Sequence, residues 1–214
     1  MHKTLCFFSF LLAGCLSAAA QAYLLPEFKV SVATVKRGGQ PIQACFNYNC
    51  VTRSMEFKEG EEVLRLDPIS HIDTLYLDRH KMIPYGVRFL DVVYASSRFS
   101  LLVDYKRIKI NKGKKGGMGL TTQGTVENVD FSAYGGRHTE EWKKGNEVWQ
   151  FRDENTYLYV VKSKMKKFHN EKSLVKLFPE KEDVIREYVK AHAVRFDQPQ
   201  AVLELLQECL PPEN

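Results

Sequence analysis

The side chains best suited to bind a partner are basic and lie together in one short stretch. This basic strip comprises Lys106, Arg107, Lys109, Lys112, Lys114 and Lys115. Near a charged membrane surface each such cation contributes roughly 1 kcal/mol, so the strip is a candidate for contact with an anionic polymer or lipid surface. Lysines on edge strands also discourage aggregation. A solvated sheet edge is therefore the favoured interpretation, and contact with an anionic partner is the alternative.

A second group of lysines and a glycine-rich segment bear on the same question of anion binding. A second strip, at Lys162, Lys164, Lys166 and Lys167, admits the same two interpretations. The segment Gly113–Gly119 is not a phosphate-binding loop, because it lacks the G-x-x-x-x-G-K-[ST] order and precedes no predicted helix.

Residues for metal chemistry are too scattered to predict a site. Metal ligands occur at short, defined spacings, and the nearest approach to a pair is His71 with Asp73. Strand alternation places both on one face, where ordinary surface positions are expected. No metal or cofactor is predicted.

A recognisable nucleophile is also absent from the sequence. There is no G-x-S-x-G motif, and Ala95–Arg98 is predicted to be a turn. Cys45 or Cys50 with a distant histidine is an alternative, but burial is the commoner role of cysteine. No catalytic residue is predicted, and solvated turns are expected for the adjacent carboxylates at Glu61–Glu62, Glu140–Glu141 and Asp153–Glu154.

The N-terminus has the pattern of an export signal. A short basic region, Met1–Thr4, is followed by the apolar run Leu5–Leu16 and by Ala20-Gln21-Ala22. Small residues at this spacing predict cleavage after Ala22. Loss of residues 1–22 removes one lysine and lowers the net charge from +5 to +4, which is too mild to predict a specific nucleic-acid partner.

One alternative concerns the same segment. Leu12-Ala13-Gly14-Cys15 resembles a bacterial lipobox, in which Cys15 would be acylated and become the new N-terminus. The chain stays apolar after Cys15, which favours ordinary cleavage. Neither route leaves a transmembrane segment in the mature chain.

Cleavage leaves Cys45, Cys50 and Cys209. In a regular strand Cys45 and Cys50 would lie about 16 Å apart, beyond disulfide reach. A disulfide between them requires a turn at Phe46–Asn49. Unpaired structural cysteines are the favoured interpretation.

The stretch Ile72–Ile110 predicts the centre of the fold. Three apolar runs separated by polar breaks are typical of consecutive antiparallel strands. The apolar phase that runs to Tyr105 then moves to Ile108 and Ile110, and an extra residue is needed to shift a period of two. The pattern therefore predicts a β-bulge near Tyr105–Arg107.

The polar segment Asn111–Gly119 is predicted to be an exposed loop. After it, Val148–Phe151 and Thr156–Val161 predict a hairpin. The period then becomes helical, with predicted helices at Ser173–Phe178, Glu180–His192 and Gln198–Leu210. In the last, Asp197 is the expected N-cap, and the expected buried stripe is Val202, Leu205, Leu206 and Cys209.

Several short motifs resemble a group of uncharacterised exported bacterial β-rich proteins with a C-terminal helical tail. They are Phe46–Asn49, Met55–Phe57, Lys176–Pro179 and Ile185–Val189, with the strand pair Phe89–Leu90 and Leu101–Leu102. The resemblance implies export and this layout. The group has no assigned activity, so no functional residue is carried over.

Together these patterns predict an α+β protein with a mostly antiparallel β-sheet or partly closed barrel and a small C-terminal helical unit. The predicted divisions are a signal peptide at 1–22, a β domain at 23–165 and a helical unit at 166–214 packed on the sheet. The predicted function is a non-catalytic binding or assembly module of the cell envelope. The alternatives are a secreted hydrolase assembled from distant loops and electrostatic docking to an anionic envelope component.

Overall fold

The computed structural model describes residues 22–115, 121–122, 147–162 and 164–210. The leader, Glu140–Glu141 and Trp142 lie outside the described residues. The strands are β1 (Lys29–Val35), β2 (Ile42–Asn49), β3 (Ser54–Glu59), β4 (Glu62–Arg65), β5 (Ile72–Leu77), β6 (His80–Tyr85), β7 (Arg88–Ala95), β8 (Ser100–Asp104), β9 (Arg107–Lys115), β10 (Thr121–Thr122), β11 (Glu147–Asp153), β12 (Thr156–Val161) and β13 (Lys164–Phe168), and the helices are α1 (Glu171–Leu177), α2 (Glu182–His192) and α3 (Pro199–Cys209).

Ten strands form one antiparallel sheet in the order β13-β12-β8-β7-β6-β5-β1-β2-β3-β4. The sheet and the C-terminal helices confirm the predicted α+β class. The sheet curls strongly, because Cα atoms of β3 and β7 approach within 8 Å of each other although four strands lie between them. It is not closed into a barrel, since β13 and β4 end the hydrogen-bonded order.

Strand β6 occupies a segment where the sequence predicts only a polar break. Its pairing with β5 runs from His80 to Met82, whereas its pairing with β7 continues through Pro84 to Tyr85. Pro84 therefore lies beyond the β5 ladder, where its missing N–H leaves no gap in that ladder. Because Lys81 and Pro84 interrupt the apolar pattern, periodicity in the sequence does not identify this strand.

The irregularity predicted near Tyr105–Arg107 is a change of sheet, and the predicted bulge is wrong. Strand β8 ends at Asp104, and β9 begins at Arg107 in a second sheet of order β10-β9-β11. The returning chain makes the same change, because Asp104 lies opposite Thr156 while Arg107 lies opposite Asp153. The chain thus leaves the main sheet after β8 and returns to it at β12, and between these points it forms the second, three-stranded sheet.

Two other predictions also differ from the structure of the second sheet. The runs Val148–Phe151 and Thr156–Val161 are strands, but they do not pair as a hairpin, since β11 pairs with β9 and β12 pairs with β8 and β13. The beginning of the predicted loop, Asn111–Lys115, belongs to β9.

The helices share one hydrophobic core with the sheet. The predicted stripe of α3, namely Val202, Leu205, Leu206 and Cys209, is buried together with sheet residues such as Leu75 and Phe89. The expected cap is wrong: the N-cap of α3 is Gln198, because the carboxylate of Asp197 instead accepts a hydrogen bond from Arg195 Nε at 3.0 Å. Among the described residues, the helices lack the length and apolar character needed to span a membrane.

Replacement of Leu206 tests this shared core. Leu206 is fully buried, so Leu206→Ala should lower the free energy of unfolding by about 2–5 kcal/mol through lost burial and a cavity. Gln207→Ala, at an exposed position of the same helix, should change it by less than about 0.5 kcal/mol. Urea unfolding followed by circular dichroism measures both. Equal midpoints for the two variants would show that α3 is not part of the cooperative unit.

Candidate functional site

The candidate site is assembled where the turn between β2 and β3 meets the ends of β7 and β8. Asn49 shapes that turn, because its side-chain oxygen accepts hydrogen bonds from the backbone N–H of Val51 at 3.0 Å and of Thr52 at 3.1 Å. Asparagine commonly stabilises turns in this way. The turn ends at Arg53, whose φ of 57° is left-handed. Local hydrogen bonding therefore fixes the backbone that presents Arg53.

Arg53 and Arg88 converge on one carboxylate, that of Asp104. Arg88 Nε lies 2.9 Å from Asp104 Oδ2, and an Nη2 hydrogen of Arg53 is donated to the same oxygen. The Asp104 side chain is 5% exposed, whereas those of Arg53 and Arg88 are 24% and 28% exposed. The buried carboxylate of Asp104 is thus held by two guanidinium groups that are partly exposed to solvent.

Several polar atoms around this carboxylate are buried without a hydrogen-bond partner. They are Asp104 Oδ1, the Nε atoms of Arg53 and Arg88, and the hydroxyl of Tyr48. Arg88 Nε is within ion-pair distance of Asp104, but its N–H does not point at the oxygen closely enough to form a hydrogen bond. Burial and the negative charge of Asp104 both raise the pKa of Tyr48. Native interiors rarely leave such groups unpaired, so the cluster has unused capacity for hydrogen bonding.

A third cation lies beside this pair. The guanidinium of Arg88 is 5.6 Å from the centre of the Tyr85 ring, and Lys167 Nζ is 5.8 Å from the same ring centre. Lys167 is exposed on the edge strand β13. Cations attracted to an aromatic face at this distance keep a preferred position. Tyr85 is therefore a shared neighbour of Lys167 and Arg88.

A second polar cluster, formed by His80, Asp91 and Tyr105, lies in the interior. His80 Nδ1 is 2.6 Å from Asp91 Oδ2, and the Tyr105 hydroxyl donates to the same oxygen at 3.0 Å. Burial, followed by the charge of Asp91, raises the pKa of Tyr105. The geometry fixes the imidazole against a buried carboxylate, an arrangement used for orientation in many catalytic sites.

The buried thiol nearest these groups is not activated. Burial raises the pKa of Cys50 to about 12, and a reactive cysteine has a lowered pKa instead. The thiol and the Tyr105 hydroxyl are both kept protonated at neutral pH. The arrangement can position and bind, but it does not generate a nucleophile at either group.

The described members of the predicted basic strip have partners within the protein. Lys106 Nζ lies 3.5 Å from Glu154, and Arg107 Nε lies 2.6 Å from Asp153 Oδ1. Lys109 Nζ lies 3.9 Å from the centre of the Trp149 ring. The side chains of Lys112, Lys114 and Lys115 lie outside the described residues, although their backbone is part of β9.

One further member of the second strip, Lys166, and several of the remaining candidates have structural roles or surface positions. Lys166 Nζ donates to the carbonyl of Leu177 at the end of α1, at 3.2 Å. Ser96 closes the predicted turn by donating its hydroxyl to the Phe99 carbonyl at 3.1 Å. His71 is exposed, and within the described ranges no group of three or more histidine, cysteine or carboxylate residues is arranged to hold a metal ion.

Sequence reasoning missed the residues that the fold brings together here. Asp91 and Asp104 each interrupt or end an apolar run, and a charge within a predicted strand is the signal that could have identified them. Their partners could not be identified in this way, because Arg53 is 51 positions from Asp104.

Within the described residues three cysteines are free, and they give a direct test of the burial described above. Cys50 and Cys209 are buried, whereas Cys45 is only partly buried. With its pKa raised to about 12, Cys50 is thiolate in only about one molecule in ten thousand at pH 8. We expect a thiol-reactive chromophore to label Cys45 first and Cys50 far more slowly, with Cys45→Ser and Cys50→Ser assigning the phases. Equal rates, or a disulfide between these two residues, would contradict the structure.

Comparison with known proteins adds no identification, since no protein-family model, curated protein or solved structure matches the chain.

Proposed function

We propose that this protein is exported and acts in the cell envelope as a non-catalytic binding module for an anionic component. One observation carries the proposal: Arg53 and Arg88 share a single carboxylate, so one of their two charges is not neutralised by Asp104. Guanidinium groups are well suited to bind carboxylates and phosphates. Asp104 holds both arginines in place before a ligand arrives, which lowers the entropy lost on binding.

The state of the buried groups favours binding over catalysis. A nucleophile needs a lowered pKa or an adjacent base, whereas the Cys50 thiol and the Tyr105 hydroxyl have raised pKa values. In this proposal the basic strip of residues 106–115 broadens the positive surface rather than forming the specific contact.

A secreted hydrolase is the second candidate, and the pair of His80 and Asp91 is the observation that favours it. A histidine oriented by a buried aspartate is part of many hydrolytic sites. If that candidate is correct, the protein should turn over an ester or amide substrate, and His80→Gln should abolish turnover without loss of the fold. If the protein is a binding module, neither the unchanged protein nor His80→Gln should turn over such a substrate.

Export can be tested by the position of the N-terminus. When the full chain is expressed in a bacterial host with an export pathway, the secreted form should begin at Tyr23, because Ala20-Gln21-Ala22 matches the cleavage pattern. Intact mass spectrometry measures this. Cys15→Ala should leave the mass and yield unchanged. Fatty-acid labelling that disappears in Cys15→Ala would instead establish the lipid anchor.

Binding can be tested with vesicles. The protein should sediment with phosphatidylcholine vesicles that contain an anionic lipid and should not sediment with phosphatidylcholine alone. Arg88→Gln should weaken the association about tenfold or more, the equivalent of one charge-assisted contact. The matched control is Arg186→Gln, which removes the same charge from the exposed face of α2. Equal binding by all three proteins would contradict the assignment of the site.

A further inference from the structure

We propose that the anionic group bound at this site is a phosphate monoester, held by Arg53, Arg88 and Lys167. This inference rests on the proposed function and names the chemical class of the ligand. A monoester presents three terminal oxygens and a charge close to −2 near neutral pH. Diesters and carboxylates carry a single negative charge.

The charge of the site matches a dianion. Two of the cations, Arg53 and Arg88, bind the carboxylate of Asp104, and the third, Lys167, contacts the Tyr85 ring that Arg88 also contacts. The three cations and the one carboxylate together carry a net charge of +2. The side chain of Asp104 is less exposed than those of the arginines, so the positive groups are the ones that a ligand in solution can reach. A dianion at the surface would neutralise the cluster, whereas a monoanion would leave one charge unpaired.

The register of the strands places Lys167 on the same face of the sheet as Arg88, which lies opposite Tyr85. Lys167 lies opposite Leu158, and Leu158 lies opposite Leu102. Leu90, Leu102 and Leu158 form a small buried cluster on that face, with Tyr85 packed against it. Because side chains alternate along a strand, Lys167 shares the face of this cluster. It therefore approaches Arg88 from across the sheet.

The site is preorganised by contacts that do not consume all of its donors. Asp104 engages Arg53 and Arg88 through a single oxygen, and the Nε atoms of both arginines have no hydrogen-bond partner. Arginine binds phosphate through paired parallel hydrogen bonds, and lysine adds a point charge. A small shift of either guanidinium toward the ligand would satisfy donors that the protein itself leaves unused.

Vesicles that differ only in the headgroup test the inference. The full chain is titrated with phosphatidylcholine vesicles containing phosphatidic acid, a monoester, or phosphatidylglycerol, a diester, at equal total charge. We expect phosphatidic acid to bind at least about tenfold more tightly, because the site provides one further charge-assisted contact. Calorimetric titration with inorganic phosphate, and its competition with the vesicles, shows whether the free ion suffices or a lipid surface is needed.

The decisive variant is Lys167→Gln, because Lys167 is exposed and its replacement should leave the fold intact. It should remove most of the preference for phosphatidic acid. The control, Lys164→Gln, makes the same change on the same strand at a position that alternation places on the other face, and it should keep the preference.

The outcomes separate the two proposals. Tight binding to both anionic lipids with no preference overturns the monoester and leaves the binding module in place. Failure to bind any anionic vesicle, or inorganic phosphate, overturns both. A preference for phosphatidic acid that survives Lys167→Gln would place the monoester elsewhere on the protein and overturn the site.

Discussion

The arrangement of the curled sheet depends on the pairing of one buried charge. Asp104 is almost fully buried at the end of β8, and removing a carboxylate from water costs several kcal/mol unless it is paired. Its partners come from the β2–β3 turn and from β7, and four strands separate β3 from β7 in the sheet. The sheet must curl until Arg53 and Arg88 meet at Asp104. The ion pairs at Asp104 connect the β2–β3 turn with β7 and β8, and strand pairing does not join that turn to either strand.

The polar groups of the interior divide into two kinds. Tyr105 and His80 both bond to Asp91 and are held among apolar neighbours, which gives rigidity at the point where β8 leaves the main sheet. The groups around Asp104 instead retain unpaired atoms and reach solvent. A fold alone gains nothing from unpaired buried donors, because each costs about 1–3 kcal/mol. The proposed function in binding would give these unpaired groups a use.

Much of the fold is predictable from sequence, because periodicity records which face of an element is buried. The α3 stripe, β5, β7 and β8 all follow from it. The change of sheet after Asp104 shifts the apolar phase just as a bulge would, so periodicity alone cannot tell the two apart. Likewise, a hairpin is the natural prediction for two strand-like runs joined by a short turn, as at Val148–Phe151 and Thr156–Val161. Their actual partners are distant in sequence and cannot be read from the local pattern. Asp197 has a side chain suited to capping, but its carboxylate accepts a hydrogen bond from Arg195, and the N-cap of α3 is Gln198.

The candidate site is less predictable for a related reason. A run of lysines is conspicuous in sequence, but neighbours along a strand point to alternate faces and readily find partners within the protein, as Lys106 does with Glu154. Arg53 and Arg88 are distant from each other in sequence and meet at Asp104 only because the sheet curls. Cations gathered from different elements around one carboxylate can converge on a single small group, whereas cations along one strand spread their charge over its length. For this reason the proposed binding site is assigned to the curl of the sheet and not to the basic strip.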